Sequence, residues 1–215
     1  MLFLAALSFL TIKKLKNKQL GLINLGLNTI AIFIFLTQGL YELSELRESY
    51  LEYTSEAFFK VDVFNIGIRY ISFAFVAILL IACYKYIRQE FMNVNFNKHF
   101  DIILYGTIIW IASSELINWL DIAESAQSYK LGLSILWGVC SLFLIALGIW
   151  KNKKHLRIGA IGLFSITLIK LFFYDISHLD TISKTIVFLS LGILLLIISF
   201  LYNKFKHKIS DDFED

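Results

Sequence analysis

A chain of 215 residues that is 58% apolar, 17% charged and free of proline carries too little polar surface to enclose a water-soluble core of its size. Its formal net charge is only +3, and its basic residues sit in short clusters between long apolar blocks. That pattern belongs to the inner face of a membrane, and it leaves a nucleic-acid-binding surface without support.

The elements are all helical. The opening MLFLAALSFLTI supplies twelve apolar-rich residues before Lys13, about 18 Å of helix, too short to cross a bilayer. It lacks the basic start and small-residue cleavage site of a secretory signal. Residues 1–12 therefore read as a half-span, either the tail of a helix truncated at its start or an interfacial segment, and truncation is the favoured reading. Six blocks then approach the roughly 20 residues needed to cross ~30 Å of hydrocarbon. They are Leu20–Tyr41, Val63–Tyr84, Ile102–Leu120, Leu131–Trp150, Ile158–Tyr174 (the shortest) and Thr185–Tyr202. The expected fold is an all-α integral membrane protein, a polytopic bundle of six full spans plus the half-span. It forms a single transmembrane domain over residues 1–205, followed by an acidic, disordered tail at 206–215.

The connections alternate in charge. Lys13, Lys14, Lys16 and Lys18 are followed by an acidic stretch from Glu42 to Asp62, then by Lys85, Arg88 and Lys98. Asp121 and Glu124 come next, then Lys151, Lys153, Lys154 and Arg157, then Asp175 and Asp180, and finally Lys204, Lys206 and Lys208. Fourteen of the twenty Lys and Arg thus fall on one side. Because positive loops stay cytoplasmic, that side is the cytoplasm and the C-terminus lies in it. Within Glu42–Lys60, Leu43, Leu46, Tyr50, Tyr53 and Ala57 recur at helical spacing, with Glu45, Glu52 and Glu56 turned away. This is an amphipathic helix on the outer surface, or the span continuing into water.

No chemistry is spelled out by motif. Cys83 and Cys140 lie inside spans, with no second Cys or His at ligand spacing, so neither a disulfide framework nor a metal site is expected. Histidines 99, 155, 178 and 207 are scattered, and no phosphate-binding loop or nucleophile elbow is present. No cofactor is implied.

Polar residues inside the spans form stripes. Asn24, Asn28, Gln38 and Glu42 share one face; so do Asn65, Arg69 and Ser72; Ser114, Glu115 and Asn118; and Thr167, Lys170, Tyr174 and Ser177. Lipid cannot satisfy such groups, so the stripes are expected to point inward. Leu131–Trp150 carries a small-residue groove, Ser134, Gly138, Ser141 and Gly148, suited to close helix packing. Arg69, Glu115 and Lys170 each sit five to seven residues inside an acidic span end, roughly 7–11 Å deep. They form either a paired charge layer of the outer leaflet or, for the two cations, side chains snorkelling to the headgroups. At the outer face, Glu42, Asp175, His178 and Lys184 are the candidate site residues, with His178 between Asp175 and Asp180 as a possible general base.

Arg157 and Gly159 open one span, Lys170–Leu171–Phe172 precede its end, and Asp175 closes it; Lys184, Phe188–Leu189, Leu191–Gly192 and Tyr202 follow. In this pattern Leu156–Phe205 resembles the C-terminal end of the bacterial predicted membrane proteins called the domain of unknown function 2339 family, and Leu136, Trp137 and Gly138 suit the family's preceding span. Lys184 stands where the resemblance leads one to expect arginine, which weakens a bidentate carboxylate or phosphate role there. The resemblance implies a bacterial inner-membrane protein and usually a longer chain, and it supplies no activity. Three functions stay open: a transport component, an envelope-assembly subunit, and a membrane-embedded enzyme acting on an envelope lipid or glycan. The first two rank above the third. Expected partners are the lipid bilayer and either other membrane subunits or the upstream part of a longer homologue.

Overall fold

The computed structural model describes residues 1–51, 64–92, 95–123, 129–175 and 181–204. His178, much of the acidic stretch (Glu52, Tyr53, Glu56, Ala57) and the tail at 206–215 lie outside these residues. The described chain is helical, with α1 (Leu2–Lys14), α2 (Lys18–Ile34), α3 (Leu40–Leu51), α4 (Phe64–Ile87), α5 (Asn97–Ile122), α6 (Tyr129–Trp150), α7 (Lys154–Lys170) and α8 (Thr181–Lys204). Among the described residues, four helical stretches are long and apolar enough to cross a membrane: Lys18–Ser49, Ile66–Ile87, Asn97–Ile122 and Leu131–Trp150.

Helix α2 does not stop where its apolar run ends. A π-helical turn, Phe35–Gly39, carries it into α3, so the outer amphipathic stretch begins as a continuation of the span. Gly39 is needed in this turn, because a Cβ there would stand 2.7 Å from the Phe35 ring. That ring is itself part of the core.

The chain divides into two compact units, Met1–Ser114 and Glu115–Asp215, with the division falling within α5. In the first, α1 packs on α2 and α4, and α3 packs on α4. The core there is formed by Ala5, Ile32, Phe35, Leu40, Leu43, Val76, Leu79 and Phe100 among others. In the second, α6 packs along α7 and also touches α8.

The two units repeat one plan. α1 ends at Lys14, α2 covers 17 residues and a 5-residue π turn follows; α6 ends at Trp150, α7 covers 17 residues, and a 5-residue π turn, Leu171–Asp175, follows. Every boundary is displaced by the same number of residues. Among the described residues, the non-glycines with positive φ are Lys16 (39°) and Asn152 (50°), at the same point of the two connections. Buried positions coincide as well: Gly21, Asn24, Asn28 and Phe35 are in register with Arg157, Ala160, Phe164 and Leu171. Lys18, Leu20, Gly26, Leu27 and Ile30 recur as Lys154, Leu156, Gly162, Leu163 and Ile166. Each unit then adds a 24-residue helix, α4 or α8, that packs on the first helix of its hairpin. In this register α1 answers to residues 138–150 of α6, and α3 is an insertion peculiar to the first unit.

The α6–α7 hairpin closes tightly. A Cβ on Gly148 would meet the Arg157 backbone nitrogen at 3.0 Å and Leu156 Cβ at 3.3 Å, whereas one on Gly162 would meet nothing within 4 Å. Backbone cannot move aside as a side chain can, so overpacking at Gly148 is costly. Gly148→Leu is expected to lower unfolding free energy in detergent by about 1–3 kcal/mol. Gly162→Leu should change it by no more than about 0.5 kcal/mol, as read from parallel thermal or denaturant curves.

Candidate functional site

The polar stripe of α2 has two fates. Its first half is consumed by α1. Asn24 Nδ2 and Asn28 Nδ2 each donate to Ser8 Oγ at 2.9 Å, and Asn24 also reaches Thr11 Oγ1 at 3.4 Å. Ser8 in turn donates to the Leu4 carbonyl at 2.8 Å, and Thr11 to that of Leu7. All four side chains are buried. The short α1 is therefore a structural partner of α2, fixed by polar contacts that a lipid environment cannot replace.

The second half of the stripe is open. Gln38 and Glu42, with Ser72 from α4, line a cavity of about 570 Å³ together with Met1, Phe35 and Phe75. Gln38 lies in the π turn, and Glu42 is an exposed residue on the rim. One end of the α2 stripe, the exposed Gln38 and Glu42, and Ser72 of the α4 stripe thus line the same open cavity. π turns inside α-helices recur at functional positions, and this one places Gln38.

Arg69 lies on α4 in the first unit. It is 1% exposed, its guanidinium donates to Ser114 Oγ, and its Cζ stands 5.5 Å from the centre of the Phe73 ring. Its side chain is buried and not extended to the surface. Arg47 on α3 is also buried, with Nη2 3.4 Å from Glu48. The sequence reading of this amphipathic stretch did not single out Arg47. The missed signal is its four-residue spacing from Leu43, which is buried on the same face.

Glu115 and Lys170 belong to the second unit. A Glu115 carboxylate oxygen accepts from Asn118 Nδ2 at 3.2 Å, one turn along α5, and Asn118 is 1% exposed. Lys170 Nζ donates to Ser134 Oγ at 2.9 Å and sits 6.0 Å from the centre of the Trp137 ring. Ser134 was legible only as part of a small-residue groove, yet it is also the acceptor that the lysine needs. The groove itself is present: Ser134 and Ser141 are buried, and a Cβ on Gly138 would come within 3.1 Å of Leu194 on α8. Beyond Lys170 the backbone is π-helical to Asp175. The i→i+5 bonding of that turn brings positions five apart onto one face, which an α-helix would hold well apart. Lys184 is half-buried near the start of α8.

Among the described residues, no three His, Cys, Asp or Glu side chains cluster to hold a metal. Apolar helices of spanning length, with polar contacts between helices inside each unit, define a multi-helix membrane protein. The chain matches the family model described as "Predicted membrane protein (DUF2339)" over residues 1–205, and it belongs to that family. Neither a curated protein nor a solved structure matches it.

The Lys170 contacts make a direct test. A double-mutant cycle of Lys170→Leu with Ser134→Ala should show coupling of about 0.6–1.7 kcal/mol, the range for hydrogen bonds between membrane helices. The same cycle with Glu115→Leu asks whether the carboxylate is the counter-charge. If it is, each single change costs about 3–5 kcal/mol and the pair recovers much of the loss. Strict additivity with both partners would mean that neither Ser134 nor Glu115 holds Lys170.

Proposed function

We propose that the chain is an envelope-assembly subunit of the bacterial cytoplasmic membrane. In this reading it has six full spans and a short first helix, with the C-terminus cytoplasmic. Residues 13–18, 85–100, 151–157 and 203–215 face the cytoplasm; residues 42–62, 121–130 and 175–184 face outward. The charge alternation of the connections supports this orientation, as does the repeated hairpin plan, whose two basic turns occupy equivalent positions. In this reading Arg69, Glu115 and Lys170 each lie five to seven residues inside an outward-facing span end.

One observation carries the assembly reading: two sets of intramembrane polar side chains are used to join neighbouring helices. Asn24 and Asn28 each donate to Ser8 between α2 and α1, and Lys170 donates to Ser134 between α7 and α6. A transport role is the second reading, favoured by the cavity that Gln38, Glu42 and Ser72 line. An enzyme acting at the outer face would draw on Glu115, Asp175 or His178.

Two experiments test this. In a Cys83→Ala, Cys140→Ala background, single cysteines are labelled with an impermeant thiol reagent in intact cells. Labelling is expected at Glu124→Cys and not at Asn152→Cys, and the reverse pattern would overturn the orientation. For the function, a strain lacking the protein is scored for sensitivity to detergent and osmotic shock. Rescue by a folded Ser72→Phe variant, whose cavity is filled, supports assembly. Failure of that variant where wild type rescues transfers the function to the cavity.

A further inference from the structure

A second cavity in the first unit has a different character. It is a groove of about 330 Å³ between α2, the end of α4 and the start of α5, lined by Leu22, Gly26, Ile32, Ile87, Phe96 and His99 among others. That volume falls at the lower end of the range for small-molecule pockets. Thr29 in its wall already donates to the Leu25 carbonyl at 2.9 Å, which leaves His99 as the polar group free to meet a guest. In sequence, Arg88 follows the lining residue Ile87, Lys98 precedes the lining residue His99, and Lys18 lies about one helical turn before the lining residue Leu22; all three are exposed, as is the acid Glu90. Arg88 is steadied by the Tyr84 ring, 4.5 Å from its Cζ. Asp101, the next acid along α5, is buried.

An apolar slot ending in a net basic rim matches one kind of molecule in a membrane. Its walls suit hydrocarbon, and the rim suits a phosphate at headgroup level. Basic pockets between membrane helices select anionic lipids for this reason. We propose that this groove holds an acyl chain of one anionic phospholipid, with its phosphate diester against His99 and the ammonium and guanidinium groups of Lys18, Arg88 and Lys98. The proposal needs the chain to be in a membrane but is independent of which reading of its function holds. A neutral, zwitterionic lipid fits the slot equally and the rim poorly, so headgroup charge is the discriminating variable.

The full chain is reconstituted in vesicles of phosphatidylglycerol or phosphatidylcholine, extracted in mild detergent, and weighed by native mass spectrometry. Wild type is expected to retain one phosphatidylglycerol, at least tenfold more than phosphatidylcholine. Gly26→Leu adds a side chain where a Cβ meets nothing within 4 Å, so it should fill the slot and abolish retention without lowering the thermal midpoint. Thr29→Leu provides a second filling variant should the first fail to fold. Arg88→Gln with Lys98→Gln should keep the slot and lose most of the preference. Equal retention of both lipids by wild type overturns the proposal, as does undiminished retention by a folded filling variant.

Discussion

The oxygen of Ser8 accepts an amide proton from Asn24 and another from Asn28, both at 2.9 Å, while giving its own proton to its helix. Everything in the first unit is arranged around that constraint. Two asparagines in a spanning helix cannot face lipid without loss, so α2 must dock its polar face on a neighbour. The neighbour is a helix of only 13 residues. Because α1 also packs on α4, the same docking brings α2 and α4 together. The cavity below, with Gln38, Glu42 and Ser72, follows from that approach and from the π turn that re-aims the end of α2.

The second unit solves the same geometry with other residues. At the positions of Asn24 and Asn28 it carries Ala160 and Phe164, both buried, and at the position of Ser8 it carries Leu144, also buried. Its polar contact is displaced toward the end of α7, where Lys170 reaches Ser134. One helical plan thus tolerates either an apolar or a polar seam. The polar seam of the first unit is a choice of that unit, and it specifies which helix faces which more strictly than packing alone would.

Much of this was legible. Block lengths located the helices, because backbone in lipid has to be helical. The four-residue spacing of Asn24 and Asn28 identified a buried face, and small residues marked α6 as a packing helix. What sequence could not supply was the partner of each polar group. Ser8 and Thr11 sit in a segment too short to count as a span, and Ser134 carried no signal beyond its size. The six-span count rested on apolar length. Among the described residues four stretches meet that criterion: α7 is only 17 residues and begins with Lys154 and Arg157, and within α8 the described apolar stretch, Lys184–Phe200, is also short of it. The repeat was hidden by few identities, such as Lys18 with Lys154 and Gly26 with Gly162. It emerges only when helix ends, π turns and positive-φ residues are aligned.

The central claim is that the buried polar groups serve helix pairing, and the repeat supplies its own control. Unfolding in detergent would be measured for Ser8→Leu, Asn24→Ala and Asn28→Phe singly, and for the triple variant that carries the second unit's residues. Ser8→Leu strands two amide donors, and either asparagine change removes one of the two bonds to Ser8, so each should lower stability by about 1–3 kcal/mol. The triple removes donors and acceptor together and should regain most of that loss. A triple variant as unstable as the three losses summed would contradict the account.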